Sequence, residues 1–342
     1  MKRAVVDLTS HRPVWSAPDA VVGVFARALG RGWDVVRVSA ASQSDGDGAA
    51  GSGEAAAAAR GAEVYVGWGV PGAVAAAGAG TLRWAHTAAA GAAASITPEL
   101  RAAQVTLTNS RGIHAEPIAD WVLTAIGFCL RGFHVAIEAQ RSGRWAKDVF
   151  TDGTVRVREY SGTRVGLVGL GGIGAAVARR CAALGMDVGA VRRHAARRPP
   201  RGVGWVRGPA HLSALARRSD VLVLAAPSTV ETRGLVTREV LAALPSGAYL
   251  INVARGHLVD EAALLQALDT GRLAGCALDV FAREPLPPDH PFWRHPRVLM
   301  FPHACGVSER FWERQAELLV ENARRFRAGR RLRNVVNLDL GY

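Results

Sequence analysis

The stretch Arg164–Arg180, RVGLVGLGGIGAAVARR, decides the fold. After Arg164 its first half is apolar throughout, the pattern of a strand buried on both faces. Gly169, Gly171 and Gly174 follow in G-x-G-x-x-G register, and an amphipathic helix starts at once. A strand, a glycine turn and a helix in that order make a cradle for the pyrophosphate of a dinucleotide. Gly169 makes the tight turn, Gly171 lets backbone approach the phosphates, and Gly174 lets the helix pack on the strand. Gly172 and Ile173 complete the loop, and the helix start offers N–H groups and a positive dipole end to an anion. A glycine-rich turn without a ligand and a methyl-donor nucleotide site are the competing readings.

The next apolar run, DVGAV (Asp187–Val191), bears on which dinucleotide. Ligands sit at the carboxyl ends of parallel strands, where an acidic residue usually bonds the adenosine ribose. Asp187 is at the wrong end for that. The segment GAVRRHAARR, Gly189–Arg198, holds four arginines and no acid. Arg192 and Arg193 stand in the ribose position, and a guanidinium binds phosphate through paired hydrogen bonds. The expected cofactor is NADP(H), whose 2′-phosphate would meet them, with NAD(H) possible. A solvated loop with incidental charge is the alternative.

Outward from this motif the chain reads as α/β, with two lobes of Rossmann-like or flavodoxin-like form, each on a parallel sheet. In the first hundred residues AVVDLT, DVVRVS, EVYVGW, LRWAHT and VTLTNS read as strands, with DAVVGVFARALG and EAAAAARG as helices between them. Ser42–Gly53 is low in complexity and reads as a surface loop. HAEPIADWVLTAIGFCLRGF reads as one long helix, with a polar connector from Gly143 to Tyr160 after it. RVGLVGL, DVGAV, VLVLAA, AYLINVA, CALDVF and VLMFPH then read as a second strand series. A final helix, SERFWERQAELLVENARRFRAG, carries the chain out. Residues 1–110 and 305–342 are expected to form a substrate-binding lobe, and 111–304 an inserted dinucleotide-binding lobe. A ligand between two lobes would be natural.

The chain has 342 residues, 49% of them hydrophobic, enough for two sizeable cores. No apolar run is of membrane-spanning length, and the N-terminus lacks the apolar core of a signal peptide, so the cytoplasm is the expected location. Cys129, Cys181, Cys276 and Cys305 form no CxxC pair, which speaks against a disulfide framework or a structural metal. The net charge of +13 invites a nucleic-acid reading. Its arginines are spread through every helix without aromatic interleaving or a recognition motif, so no nucleic-acid partner is expected, and no membrane partner.

Several further blocks come in order: NSRGIHAEPIADWVL, LAAPSTVETRGLV, LINVARGHLVDEAALLQAL, LDVFAREPLP and FPHACG. With the glycine loop they resemble the D-isomer-specific 2-hydroxyacid dehydrogenases over about Leu82–Phe326. The resemblance implies reduction of a 2-keto acid to a D-2-hydroxy acid, with Arg255 on the substrate, His303 as general acid/base and Glu284 behind the histidine. The chemistry agrees. A histidine titrates nearest neutral pH and can deliver a proton, and a carboxylate on its far nitrogen favours the charged form. An arginine holds a planar carboxylate or polarises a keto oxygen.

The resemblance also implies cofactor contacts at Pro227, Thr232, Val253, Ala254, Arg255 and His303. Asp279 would reach the nicotinamide carboxamide, or else cap the next loop. Backbone N–H groups at Ala90 and Gly91 would bind the substrate carboxylate, although Ala92 and Ala93 depart from the family's commoner loop, as Asp120 does from its usual glutamate. His86 and His114 read as structural, and Cys305 as a small residue lining the site unless it is a reactive thiol. A homodimer is expected, with ADWVLTAIGFCLRG and Trp145 as candidate contacts. A formate- or phosphite-type dehydrogenase and a dinucleotide-sensing regulator of the co-repressor kind are the alternative functions.

Overall fold

The computed structural model describes residues 1–42 and 51–341. Residues 43–50 of the expected loop Ser42–Gly53 lie outside the described residues. The chain divides into two compact units, Met1–His114 with Ser308–Tyr342, and Ala115–Val307. The boundaries thus fall three or four residues beyond the expected 110/111 and 304/305, so the FPHACG block ends inside the second unit.

In the first unit β1 (Lys2–Asp7), α1 (Asp19–Leu29), β2 (Trp33–Arg37), α2 (Gly53–Ala59), β3 (Val64–Gly67), α3 (Gly72–Ala77), β4 (Trp84–Thr87), α4 (Pro98–Ala102) and β5 (Thr106–Asn109) alternate. All pairings are parallel, in the order β2-β1-β3-β4-β5. Caps set the helix starts. Ser52 Oγ accepts from Ala55 N–H at 3.1 Å, and Thr97 Oγ1 accepts from Leu100 N–H at 3.2 Å with Pro98 at the first helical position. His86, on β4, is fully buried. Its ring bonds Thr108 Oγ1 at 2.8 Å and Ser110 Oγ at 3.0 Å, and burial depresses its pKa to about 3. A neutral, bonded core histidine is a structural one. His114 lies against the Phe311 ring.

The second unit begins with α5 (Ala115–Leu130), α6 (Phe133–Arg141) and α7 (Asp148–Thr151). The expected single helix is broken. Gly132 takes φ +69°, and the axes of α5 and α6 meet at a 70° bend. Arg131 and Gly132 stand at the break, but apolar positions resume at Phe133, so the reading carried one helix across it. Then come β6 (Arg164–Val168), α8 (Gly172–Ala183), β7 (Asp187–Val191), β8 (Val203–Arg207), α9 (Leu212–Arg217), β9 (Val221–Leu224), α10 (Arg238–Ala243), β10 (Ala248–Asn252), α11 (Glu261–Asp269), β11 (Leu273–Leu278) and β12 (Val298–Met300). The chain returns to the first unit as α12 (Phe311–Arg327).

Seven strands form the second sheet in the order β12-β11-β10-β9-β6-β7-β8. β8 is an addition to the expected six. It is an edge strand carrying Gly204 and Arg207, too polar and too exposed to show the apolar run of a buried strand. The central strands β9 and β10 are buried at every residue. One apolar cluster, including Val122, Ile126, Val165, Leu167 and Ile251, and another, including Leu222, Leu224, Leu250, Leu258 and Leu264, enclose the sheet. α5 turns much of its apolar surface inward to the first of these. Its Asp120 and Glu116 accept from the Arg180 guanidinium of α8 at 2.8 Å each.

No single helix among the described residues is long and apolar enough to cross a membrane.

Candidate active site

The segments that follow β6, β7, β9, β10, β11 and β12 supply the second-unit residues read from the sequence as catalytic or cofactor-binding. The glycine turn follows β6. Gly169 holds φ +99°, and a Cβ there would stand 2.7 Å from the Ala225 carbonyl oxygen. A Cβ on Gly174 would stand 2.2 Å from the Gly169 oxygen. Both positions therefore need glycine for close backbone approach. Gly171 differs. Its φ is ordinary, and an added Cβ would meet no atom within 4 Å, so the space beside it is open to a ligand. Gly171 is also the N-cap of α8 and offers no side chain to the first-turn N–H groups. Open space beside an uncapped helix start fits a pyrophosphate.

After β7 come Arg192, half-buried, and Arg193, exposed. Arg192 Nε and Nη2, the two donors along one edge of the guanidinium, are buried with no hydrogen-bond partner. Buried donors without an acceptor are costly, and this edge matches two oxygens of one phosphate. Arg193 Nη2 donates to Glu231 Oε2. Pro227 and Thr232 sit on the turn after β9, where Thr232 Oγ1 donates to the Pro227 oxygen at 2.7 Å.

β10 ends at Asn252, which the sequence reading passed over. Its buried side chain spans the next turn: Oδ1 accepts from Ala254 N–H at 3.0 Å, and Nδ2 donates to the Arg255 oxygen at 3.1 Å. Val253, Ala254 and Arg255 are thereby held in one tight loop. Gly256 follows, and a Cβ there would overlap the Phe281 carbonyl carbon at 1.9 Å. The Arg255 backbone is pinned from both sides.

Asp279 ends the strand run of β11 and is buried. Its Oδ1 accepts from Ala304 N–H at 2.8 Å and Cys305 N–H at 3.1 Å. It thus caps the loop carrying the histidine, which follows β12, rather than the loop directly after β11 that the sequence reading gave it. Burial raises its pKa above the ordinary carboxylate value, outweighing those hydrogen bonds. His303 itself holds φ +51°, and its N–H donates to the Asp279 oxygen at 2.8 Å. Left-handed backbone in a non-glycine residue persists only where its surroundings enforce it.

The geometry converges on one pair. His303 Nδ1 lies 2.6 Å from Glu284 Oε2, and Glu284 Oε1 accepts from Phe281 N–H at 2.9 Å. Both side chains remain about one-third exposed, at 37% and 32%. The hydrogen bond from Glu284 raises the His303 pKa above its ordinary value, against burial and the Arg255 charge. For Glu284, burial pushes the carboxyl up, but the His303 bond, the Phe281 N–H and the positive charges of His303 and Arg255 leave it below ordinary. The pair favours an imidazolium beside a carboxylate, and Arg255 is close enough to act on both. Nδ1 is engaged by Glu284, and Nε2 is the ring nitrogen outside that bond.

Cys305 is buried. Burial first, then the Asp279 charge, push its thiol well above the ordinary value, which is the environment of an inert cysteine rather than a reactive one. Ala90 and Gly91 belong to the first unit, on an exposed loop after β4. Asn109 Nδ2 donates to the Ala90 oxygen at 2.8 Å. No group of three or more His, Cys, Asp or Glu able to hold a metal occurs among the described residues.

A glycine turn with open space at a helix start, joined in one sheet to an acid-paired histidine and an arginine, defines a nicotinamide-dependent oxidoreductase. The model of the D-isomer specific 2-hydroxyacid dehydrogenase NAD binding domain matches residues 123–305. A glyoxylate reductase of Korarchaeum cryptofilum is 35% identical over 237 residues, 68% of this chain and 70% of that protein. Glyoxylate/hydroxypyruvate reductase A of Salmonella typhi is 44% identical over 144 residues, 42% of this chain and 46% of that protein. A D-isomer specific 2-hydroxyacid dehydrogenase from Xanthobacter autotrophicus, solved in complex with NADPH and MES, superposes with a TM-score of 0.80 at 32% identity, covering 100% of both chains. The NADPH-dependent glyoxylate/hydroxypyruvate reductase of Sinorhizobium meliloti, solved with NADP and sulfate, gives a TM-score of 0.77 at 26% identity, again over 100% of both chains. The chain belongs to the D-isomer specific 2-hydroxyacid dehydrogenase family.

Replacing Glu284 by Gln removes the largest influence raising the His303 pKa. A cationic histidine is present below its pKa and lost above it, so reductive kcat/KM should fall at lower pH in Glu284→Gln than in wild type. At neutral pH the loss should be about 10²-fold, within the range for a positioned acid. Rate profiles from pH 5 to 10 check this, and a limb that does not move would remove Glu284 from its role.

Proposed function

We propose that the protein is an NADP(H)-preferring reductase of small 2-keto acids, forming D-2-hydroxy acids, with His303 as the general acid. The observation that carries this reading is the Glu284–His303 hydrogen bond beside Arg255, which keeps a proton available where an alkoxide would form. Relatives named as glyoxylate and glyoxylate/hydroxypyruvate reductases support a two- or three-carbon keto acid as substrate.

The chain's own residues divide the work. His303 Nε2 gives its proton to the developing alkoxide in the reductive direction and, when neutral, takes one in the oxidative direction. Glu284 stabilises the cation and fixes the ring. Arg255 holds the keto acid through paired hydrogen bonds and stabilises charge on its oxygen. The first unit is assigned to substrate binding, with the N–H groups of Ala90 and Gly91 as donors to the substrate carboxylate. Gly169, Gly171, Gly172, Ile173 and Gly174 would hold the pyrophosphate, and Pro227, Thr232, Val253 and Ala254 would line the path from adenosine to nicotinamide. Asp279 would face the carboxamide while keeping the 303–305 loop in place. The bound nicotinamide supplies the hydride.

The preference for NADP(H) rests on Arg192, whose partnerless Nε and Nη2 edge suits a 2′-phosphate. We also assign Trp145, 89% exposed, to the contact between two copies of the chain. Wild type should sediment as a dimer and Trp145→Asp as a monomer, whereas dimers in both would free Trp145 of this role.

Following NADPH oxidation with glyoxylate, hydroxypyruvate and larger 2-keto acids tests the activity. His303→Ala should lose about 10³-fold in kcat while NADPH binding stays within twofold. Arg192→Ala should weaken NADPH binding about 10- to 100-fold, the scale of a charged hydrogen-bond pair, and leave NADH unchanged. A protein inert toward every keto acid, or a His303→Ala variant of full activity, would contradict the reading.

A further inference from the structure

The loops after β7 and β9 flank the glycine turn, because the sheet order places β6 between those two strands. One ion pair reaches across this gap. Arg193, from the loop after β7, donates through Nη2 to Glu231 Oε2, from the loop after β9. The pair joins the two loops on either side of the β6 carboxyl end, and Arg193 directly follows Arg192, whose Nε and Nη2 have no partner.

Glu231 is presented by a turn closed by its own hydrogen bonds. Thr232 Oγ1 accepts from Thr229 N–H at 2.7 Å and donates to the Pro227 oxygen at 2.7 Å. Thr232 N–H and Arg233 N–H close on the Thr229 oxygen at 3.2 and 3.1 Å. Thr229 Oγ1 also donates to Glu231 Oε2 at 3.3 Å. A carboxylate is therefore held out toward the arginines by a turn whose polar groups bond one another.

This carboxylate has the same sign of charge as a 2′-phosphate, and it already occupies one of the two guanidiniums in the ribose position. We infer that Glu231 is a specificity-determining residue that competes with the cofactor's 2′-phosphate for Arg193. Arg192 gives the phosphate its first two hydrogen bonds. Arg193 must leave Glu231 to add more, and the two anions then repel. A cofactor without the 2′-phosphate leaves the Arg193–Glu231 pair in place and meets no such opposition. Glu231 thus narrows the margin by which NADP(H) is preferred over NAD(H). The inference rests on the 2′-phosphate reading of Arg192 and adds a residue outside the arginine run.

The pair is mostly exposed, with side chains 41% and 72% accessible, so its effect is modest and salt-dependent. Binding is read from the fluorescence of titrated NADPH and NADH, without turnover. In low salt Glu231→Gln should bind NADPH about two- to fivefold more tightly than wild type, the fold-change matching an exposed ion pair. NADH affinity should not change, and the gain should shrink in 0.5 M salt. In an Arg193→Ala background the Glu231→Gln substitution should have no further effect on NADPH. Weaker NADPH binding in Glu231→Gln would overturn the inference, since Glu231 would then be positioning Arg193 for the phosphate. An equal change for both cofactors would overturn it too. Arg192→Ala separates the two levels. If it leaves NADPH and NADH binding alike to wild type, the 2′-phosphate reading fails as well. If it loses NADPH selectivity while Glu231→Gln changes nothing, only the competition fails.

Discussion

The hydrogen bond between Glu284 and His303 is the interaction on which the chemistry proposed for this protein depends. At 2.6 Å it couples a carboxylate held below its ordinary pKa to an imidazole held above it. Arg255 acts against the histidine's charge and in favour of the carboxylate's, so the pair survives only because Glu284 outweighs it. Without the carboxylate, burial and a nearby guanidinium would both drive the ring neutral. A neutral ring has no spare proton on the nitrogen that would serve a substrate oxygen once its tautomer is wrong.

Backbone geometry makes the pair possible. His303 holds left-handed φ because its own N–H bonds the Asp279 oxygen while the Asp279 side chain collects the next two N–H groups. Glu284 is fixed by the Phe281 N–H, and the same stretch of chain packs on Gly256, the residue after Arg255. The three side chains come from separate segments after β10, β11 and β12. They are registered by backbone contacts among neighbouring strand ends, and parallel pairing brings those ends to one side of the sheet. The glycine turn after β6 opens on that same side.

The sequence was most informative where physics leaves little choice. Buried parallel strands must be nearly all apolar, so β6, β7, β9, β10 and β11 stand out, and Gly169 and Gly174 occupy positions that admit no Cβ. The blocks around Arg255, Glu284 and His303 were legible through family resemblance, since a lone histidine after a proline says little. Three features were hidden. The break at Gly132 lies between two apolar segments that the reading joined across Arg131 and Gly132. β8 is a half-exposed edge strand with charged and glycine positions. Asn252 reads as the polar end of a strand and Glu231 as an ordinary loop residue until their hydrogen bonds show what each spans. Asp279 was read as a carboxamide contact or a cap on the loop directly after it, whereas its hydrogen bonds cap the 303–305 loop after β12.

The central claim concerns the charge on one ring, so it is tested most directly on that ring. Heteronuclear NMR of histidine-labelled protein, assigned with His303→Gln, follows the imidazole nitrogens as pH is raised. His303 should titrate above the ordinary histidine value of about 6.5, with Nδ1 keeping its proton toward Glu284 and Nε2 releasing the one that titrates. A midpoint at or below the ordinary value would contradict this description of the site, as would loss of the proton from Nδ1 first.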